Sequence, residues 1–261
     1  GVNRLSLGLQ SASDEELRML GRIHTYGEFL ESFRAAREAG FSNINVDLMA
    51  ALPGQTEESF EETLRTVSAL SPEHLSVYSL IIEEGTPFHE KYHLQAMARE
   101  EGREDTWPLP TEETERQMYH RARQILEENG YFRYEISNYA RKGCQCRHNV
   151  GYWTGVPYLG FGVSASSYFG GRRFSDTRDL GEYLEVLAGQ DENASEASGQ
   201  DLSRLRTGEE LVTRERAMEE FMFLGLRMTA GVQEAEFLRR FGSSRPGSFP
   251  APDRGGAGDE G

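Results

Sequence analysis

The chain has 261 residues, with 43 acidic against 28 basic side chains and a formal net charge of −15. That balance argues against nucleic acid as a partner and holds membrane contact to the peripheral at most, because both surfaces require a basic face. No apolar run approaches the roughly 18 residues of a membrane span and no signal-peptide pattern opens the sequence; with two cysteines, Cys144 and Cys146, too close for an ordinary disulfide framework, a cytoplasmic location is expected.

In chain order, Arg4–Gln10 reads as a strand with Leu5, Leu7 and Leu9 on one face and Ser6, Gly8 and Gln10 on the other. Ser13 and Glu16 predict a capping box for a helix to Arg22. Thr25 and Glu28 repeat that signal for a helix carrying Phe29, Phe33 and Ala36, stopped at Gly40. The stretch Asn43–Thr56 supplies a strand, with Ile44, Val46 and Leu48 alternating with Asn45, Asp47 and Met49, and then the breaker Pro53-Gly54. Thr56 caps the next helix, with Phe60, Leu64, Val67 and Leu70 on its buried stripe.

A strand over Leu75–Ile82, a charged segment over residues 89–108, a helix from Thr111 to Asn129 and a strand over Phe132–Ile136 complete this half. The alternation, about 30 residues per unit, is that of parallel β/α repeats. Four strands are too few to close an eight-stranded barrel. Beyond residue 140 the texture changes: aromatics and glycines crowd Tyr152–Tyr168, and helices are expected over Glu209–Met228 and Glu234–Phe241. The expected domains are 1–140, 141–242 and a disordered tail over 243–261. The opening Gly-Val-Asn-Arg already lies inside a strand, so the chain reads as a fragment entered part-way through a domain, with its C-terminal region cut short or replaced.

Four constellations carry chemistry. Gln10 and Asp47 are read at the carboxyl ends of successive strands with Arg22 after the intervening helix, where ligands bind in β/α architectures. An amide, a guanidinium and a carboxylate suit a ligand with hydroxyls, an amine and a carboxylate. They also suit a structural Arg22–Asp47 ion pair, and spacing does not separate the two. Cys144-Gln-Cys146-Arg-His148 reads better as two incidental cysteines than as a metal site, which calls for C-x-x-C spacing and four ligands. His148 beside Tyr152 and Trp153 suits heme ligation, but these residues taken alone favour a core histidine under an aromatic cluster. Gly160-Phe-Gly162 is a tight turn rather than a phosphate loop.

Ser6-Leu-Gly8-Leu-Gln10-Ser11, Leu20-Gly-Arg22-Ile-His24, Asn45-Val-Asp47-Leu and Leu52-Pro53-Gly54-Gln55-Thr56 resemble the radical S-adenosylmethionine (SAM) proteins of the coproporphyrinogen oxidase-like group. Tyr78 to Phe88, Tyr134-Glu-Ile-Ser-Asn138, His148-Asn-Val-Gly-Tyr-Trp153, Tyr158-Leu-Gly-Phe-Gly162 and Phe223-Leu-Gly-Leu-Arg227 are similar to its heme-chaperone branch. The resemblance, over about residues 3–242, implies an α/β fold: a partial (β/α) TIM-like barrel with a smaller, truncated and mainly helical C-terminal region. It implies SAM contact for Gln10, Arg22 and Asp47, and heme contact for His148 with Asn149, Tyr152 and Trp153 nearby. The implied function is a heme chaperone that delivers heme to an unidentified acceptor protein. The alternative is an oxygen-independent coproporphyrinogen III dehydrogenase.

The chain departs from this pattern at two points. The group holds a [4Fe-4S] cluster with a C-x-x-x-C-x-x-C triplet, which this sequence lacks. The cluster and its cysteines are therefore expected only in a full-length protein, upstream of Gly1, and this chain is expected to be catalytically inactive. Ser166 stands where the group usually has a histidine, and no role is carried over to it.

Overall fold

The computed structural model describes residues 1–86, 88–92, 108–188 and 202–242, with the side chains of 202 and 203 excepted. The expectations for most of the charged segment 89–108 and for the 243–261 tail therefore lie outside the described residues. The chain divides into two compact units, one spanning Gly1–Cys146 and one beginning at Arg147.

In the first unit β1 (Leu5–Gln10), β2 (Ile44–Ala50) and β3 (His74–Ser79) are parallel neighbours, joined by α1 (Asp14–Met19) with α2 (Tyr26–Glu38) and by α3 (Glu57–Ala69). After α4 (Glu112–Glu128), β4 (Phe132–Arg133) and β5 (Asn138–Ala140) complete the order β1-β2-β3-β5-β4. Sequence logic holds for the parallel part. The Thr25–Glu28 capping box forms in both directions, and Thr56 caps α3 reciprocally with Ser59. Phe29, Phe33, Phe60, Leu64 and Val67 are buried in one core with Ile44, Val46, Leu48 and Leu75.

Three expectations change. The Phe132–Ile136 strand is only the two residues of β4, and it pairs antiparallel with β5, which itself pairs antiparallel with β3. Tyr131, Tyr134 and Tyr139 are buried there, and the Tyr131 hydroxyl donates to the Pro72 carbonyl at 2.8 Å, so aromatic anchoring rather than a long ladder fixes this edge. The Ser13–Glu16 box forms by half. Ser13 accepts from the Glu16 amide, but the buried Glu16 carboxylate turns inward to accept from Ser11, Gln55 and Ser59. The reverse side faces are also more polar than alternation with an apolar core implies, since Asn45, His74 and Ser76 are buried as well.

The second unit holds α5 (Arg147–Trp153), the antiparallel sheet β6 (Ser166–Phe169), β7 (Arg172–Asp176) and β8 (Arg206–Leu211), and the helices α6 (Leu180–Ala188), α7 (Arg214–Gly225) and α8 (Glu234–Phe241). Helix outweighs strand, yet Glu209–Leu211, read above as the start of a helix, closes the sheet as β8. Gly170 and Gly171, at φ +60° and +71°, make the two-residue turn between β6 and β7. Phe237 is buried against Phe221 and Phe241, with ring centroids 5.6 and 5.0 Å away.

Candidate functional site

The first constellation is built around a missing side chain. Gly8 on β1 stands beside Asp47 on β2. Beyond Gly8 the register slips, so that Gln10 rather than Leu9 faces Leu48, and Gln10 takes the left-handed conformation at φ +75°. Such a bulge re-aims the residue after it. The Gln10 amide consequently folds back over Gly8: a Cβ at that position would stand 3.0 Å from Gln10 Nε2 and 3.3 Å from Arg22 Nη2.

Arg22 arrives by a different device. The α1 helix ends in a Schellman turn, with Gly21 left-handed at φ +70°, its amide donating to the Arg18 carbonyl and the Arg22 amide donating to the Leu17 carbonyl, each at 3.0 Å. The Leu20-Gly-Arg22 motif is thus the sequence of a helix stop that presents the arginine. His24 is drawn to the same strand end through Nε2, 3.4 Å from the Leu9 carbonyl.

Asp47 lies at the middle of β2 rather than at its carboxyl end as expected, because β2 runs three residues past its pairing with Gly8. Its carboxylate accepts from Asn45 Nδ2 at 2.7 Å and from Ser6 Oγ at 3.0 Å. Neutral donors satisfy part of it, and no Arg22–Asp47 ion pair forms among the described residues. The structural ion pair is therefore not the use of these side chains. An amide and a guanidinium converge on the groove over Gly8, and a half-buried carboxylate with acceptor capacity to spare borders it. That donor–acceptor set fits a zwitterionic ligand with hydroxyls, as SAM is. Ser6 and Asn45, missed by sequence reasoning, carried a readable signal: they share a strand face with Gly8 and Asp47 by two-residue alternation.

The second constellation lies wholly in the second unit. Along α5, His148 and Tyr152 are four residues apart and meet edge to face, with ring centroids 4.6 Å apart; Tyr152 meets Tyr158 likewise at 4.7 Å. Trp153, on the neighbouring stripe, carries the Arg227 guanidinium 4.2 Å above its ring. The Arg240 side chain donates to the Thr154 carbonyl at 2.7 Å and so ties down the end of α5.

His148 is exposed and not a core histidine, and among the described residues no hydrogen bond occupies its ring nitrogens. Tyr152, Val156, Leu159 and Phe161 are also exposed nearby in sequence. Beside them lies a cavity of about 350 Å³ lined by Asn149, Tyr152, Trp153, Val156, Tyr158 and Tyr168. Burial, with the neighbouring Tyr152, pushes the Tyr158 phenol above its usual pKa, so it stays protonated at neutral pH. Arg173 donates two hydrogen bonds to Glu220 at the cavity wall and holds that carboxyl below its usual range. A free imidazole bordered by neutral aromatic rings is the chemistry that a heme iron and macrocycle require.

Cys144 and Cys146 are free thiols, and no group of three or more metal-ligating side chains occurs among the described residues. Two thiols one residue apart do not make the three-thiolate set of a radical SAM cluster, so the residues present do not fit that group. Gly160 is the close-packing glycine expected of its turn, since a Cβ there would lie 2.4 Å from the Ser166 carbonyl oxygen.

Comparison with known proteins gives one consistent group of relatives for the chain. The Radical SAM superfamily model matches residues 1–67, the stretch holding Gln10, Arg22 and Asp47, and the HemN C-terminal domain model matches residues 212–245. The chain is 40% identical over 251 residues to the heme chaperone HemW of Bacillus subtilis (strain 168), covering 96% of this chain and 60% of that protein. It is 35% identical over 240 residues to HemW of Lactococcus lactis, covering 92% and 57%. To the radical S-adenosyl methionine domain-containing protein 1 of Danio rerio it is 32% identical over 238 residues, covering 89% and 49%.

The chain thus spans 49 to 60% of the length of these curated relatives. Among solved structures, the coproporphyrinogen III oxidase HemN of Escherichia coli, described as a radical SAM enzyme, superposes with a TM-score of 0.65 at 24% identity, covering 93% of this chain and 54% of that one. The likeness is one of fold, the α/β partial barrel expected from the sequence.

Proposed function

The chain belongs to the HemW group of radical SAM proteins, and on that premise we propose that its protein is a heme chaperone, which binds heme and passes it to an acceptor protein. The observation that carries this reading is the exposed imidazole of His148, free of hydrogen bonds among the described residues and flanked by Tyr152. A chaperone must release its cargo. One accessible imidazole and an open aromatic border would allow that, whereas a pocket enclosing the heme on both faces would not.

SAM is assigned to the groove over Gly8. Arg22 and Gln10 would supply donors to it and Asp47 an acceptor, with Ser6 and Asn45 holding the Asp47 carboxylate in place. When bound, this cofactor supplies a sulfonium and an adenosyl group. No step is routed through a [4Fe-4S] cluster, whose ligand set the two cysteines do not provide. No described helix is long and apolar enough to cross a membrane.

Titration of the purified chain with hemin, followed at the Soret band, tests the proposal. A shifted, saturable band that is lost in His148→Ala is the expected result. A spectrum unchanged by that substitution removes His148 from the account. Conversion of coproporphyrinogen to protoporphyrinogen by a full-length protein would favour the dehydrogenase instead.

A further inference from the structure

Behind Asp47 the sheet carries a chain of buried polar side chains of which the ligand readings use only the first, Asn45. The Asn45 amide donates through Nδ2 to Asp47 Oδ1 at 2.7 Å and to Ser6 Oγ at 2.6 Å. A carboxylate only accepts, so this nitrogen must face Asp47 and the Asn45 oxygen must face the other way. There Oδ1 meets Ser76 Oγ at 3.1 Å and His74 Nδ1 at 2.6 Å.

His74 Nδ1 therefore carries the proton, leaving Nε2 as an acceptor for the Tyr134 hydroxyl at 2.9 Å. Every link is now directed: Tyr134 donates to His74, His74 to Asn45, and Asn45 to Asp47. Asn45, His74, Ser76 and Tyr134 are each no more than 4% exposed. Burial holds the imidazole pKa down to about 3, which keeps the ring neutral and able to accept and donate at once. Free imidazole favours the other tautomer, with the proton on Nε2. The Tyr134 hydroxyl selects against it, and the edge-on packing of the two rings at 5.7 Å fixes the imidazole plane.

We propose that His74 and Tyr134 are positioning residues for the adenosylmethionine site, which lock the Asn45 amide in one orientation and thereby aim the Asp47 carboxylate at the ligand. The proposal rests on the assignment of SAM to Gln10, Arg22 and Asp47. Its physical content is that an asparagine has two near-isosteric orientations, and only one presents a donor to Asp47. With the reverse orientation an amide oxygen would face the carboxylate, turning it away from the groove or favouring its protonated form.

The chain of bonds spans β4's flank, β3 and β2, so the strand register that pairs Asn45 with His74 and Asp47 with Ser76 is what delivers it. Buried polar networks of this kind have no packing advantage over apolar side chains of the same size. Their directed end on a half-buried carboxylate gives this one a use.

The test uses the full chain, with SAM affinity measured by equilibrium dialysis and the His74 ring nitrogens followed by ¹⁵N NMR. The wild type is expected to show the Nδ1–H tautomer, with His74 resonances that move when SAM is added although the ring does not touch the ligand. Tyr134→Phe keeps the ring packing and removes one hydrogen bond; SAM binding is expected to weaken by up to about fivefold, the limit reached if the whole of one ordinary hydrogen bond goes into orienting Asn45 and Asp47. Asn45→Leu, which removes the donor, is expected to weaken it further.

An Nε2–H tautomer in the wild type overturns the proposal whatever the variants do. Affinities unchanged in Tyr134→Phe and Asn45→Leu, with Asp47→Asn impaired, overturn it while leaving the SAM assignment intact. An Asp47→Asn affinity equal to the wild type removes that assignment, and the proposal with it.

Discussion

The two units solve opposite problems with side chains of similar chemistry. In the first, Asp47 is held by Ser6 and Asn45 on rigid parallel strands, and a glycine clears the space above. In the second, His148 sits on a seven-residue helix with no buried side chain and no hydrogen bond of its own among the described residues. On the proposed function, one site is ordered before its ligand arrives; the other presents a ligand atom and little else. A cofactor retained through many cycles benefits from preorganisation, and a cargo awaiting transfer does not.

That contrast sets how each unit should respond to damage. Phe60→Ala, in the fully buried core of the first unit, is expected to destabilise it by about 3–5 kcal/mol and to abolish SAM binding with it. Chemical denaturation followed by a probe in each unit would check this. Heme binding by a second unit that survives the loss would sharpen the contrast, and a single shared transition would break it.

Acid should act next. His74 is neutral when folded, with a pKa near 3, against 6.5 when unfolded. Between those values the unfolded state binds the extra proton, so stability is present in full above about pH 6.5. It is lost at about 1.4 kcal/mol per pH unit as the pH falls toward 3. Denaturation midpoints measured from pH 7 to pH 4 would show this slope for the first unit, and a His74→Phe variant should flatten it.

Gly160→Ala brings a methyl against backbone, not against a flexible side chain, and is expected to cost the second unit about 1–3 kcal/mol. Thermal melts of the variant would check it. Smallest of all, His148→Ala should change stability by no more than about 0.5 kcal/mol, because the ring is exposed, while removing the Soret shift. A large loss of stability there would mean that His148 is structural after all.

Much of the first unit was legible in the residues. The Thr25–Glu28 capping box, the Thr56 cap, the apolar stripes of α2 and α3 and the faces of β1 and β2 follow from local periodicity, because their partners are close in sequence or fixed by helix geometry. Where a side chain had a distant alternative, local reading failed. Glu16 had a capping amide three residues back, yet its carboxylate bonds to Ser59 across 43 residues. The β4–β5 edge is set by Tyr131 reaching Pro72, and no spacing within residues 131–140 announces that.

In the second unit, β8 carries Arg206, Glu209 and Glu210 on an exposed edge, a charge pattern that a solvated helix shares. Its strand character comes from pairing with β7. The Gly170-Gly171 turn was the readable signal for that sheet. Of the candidate site, the groups proposed to touch ligand are the ones recognisable in sequence motifs. The group behind them, His74, becomes visible only when strand register aligns it with Asn45.

The Gly170-Gly171 hairpin has a consequence for the order in which the molecule assembles. It closes a loop of two residues, whereas Ser6 and Asn45 must meet across 39. Short loops close in well under a microsecond and hairpins zip within about ten, while long-range parallel pairing waits on the entropy of bringing distant segments together. A chain folding from the unfolded state should therefore acquire the β6–β7 hairpin of its second unit while the groove over Gly8 is still unformed.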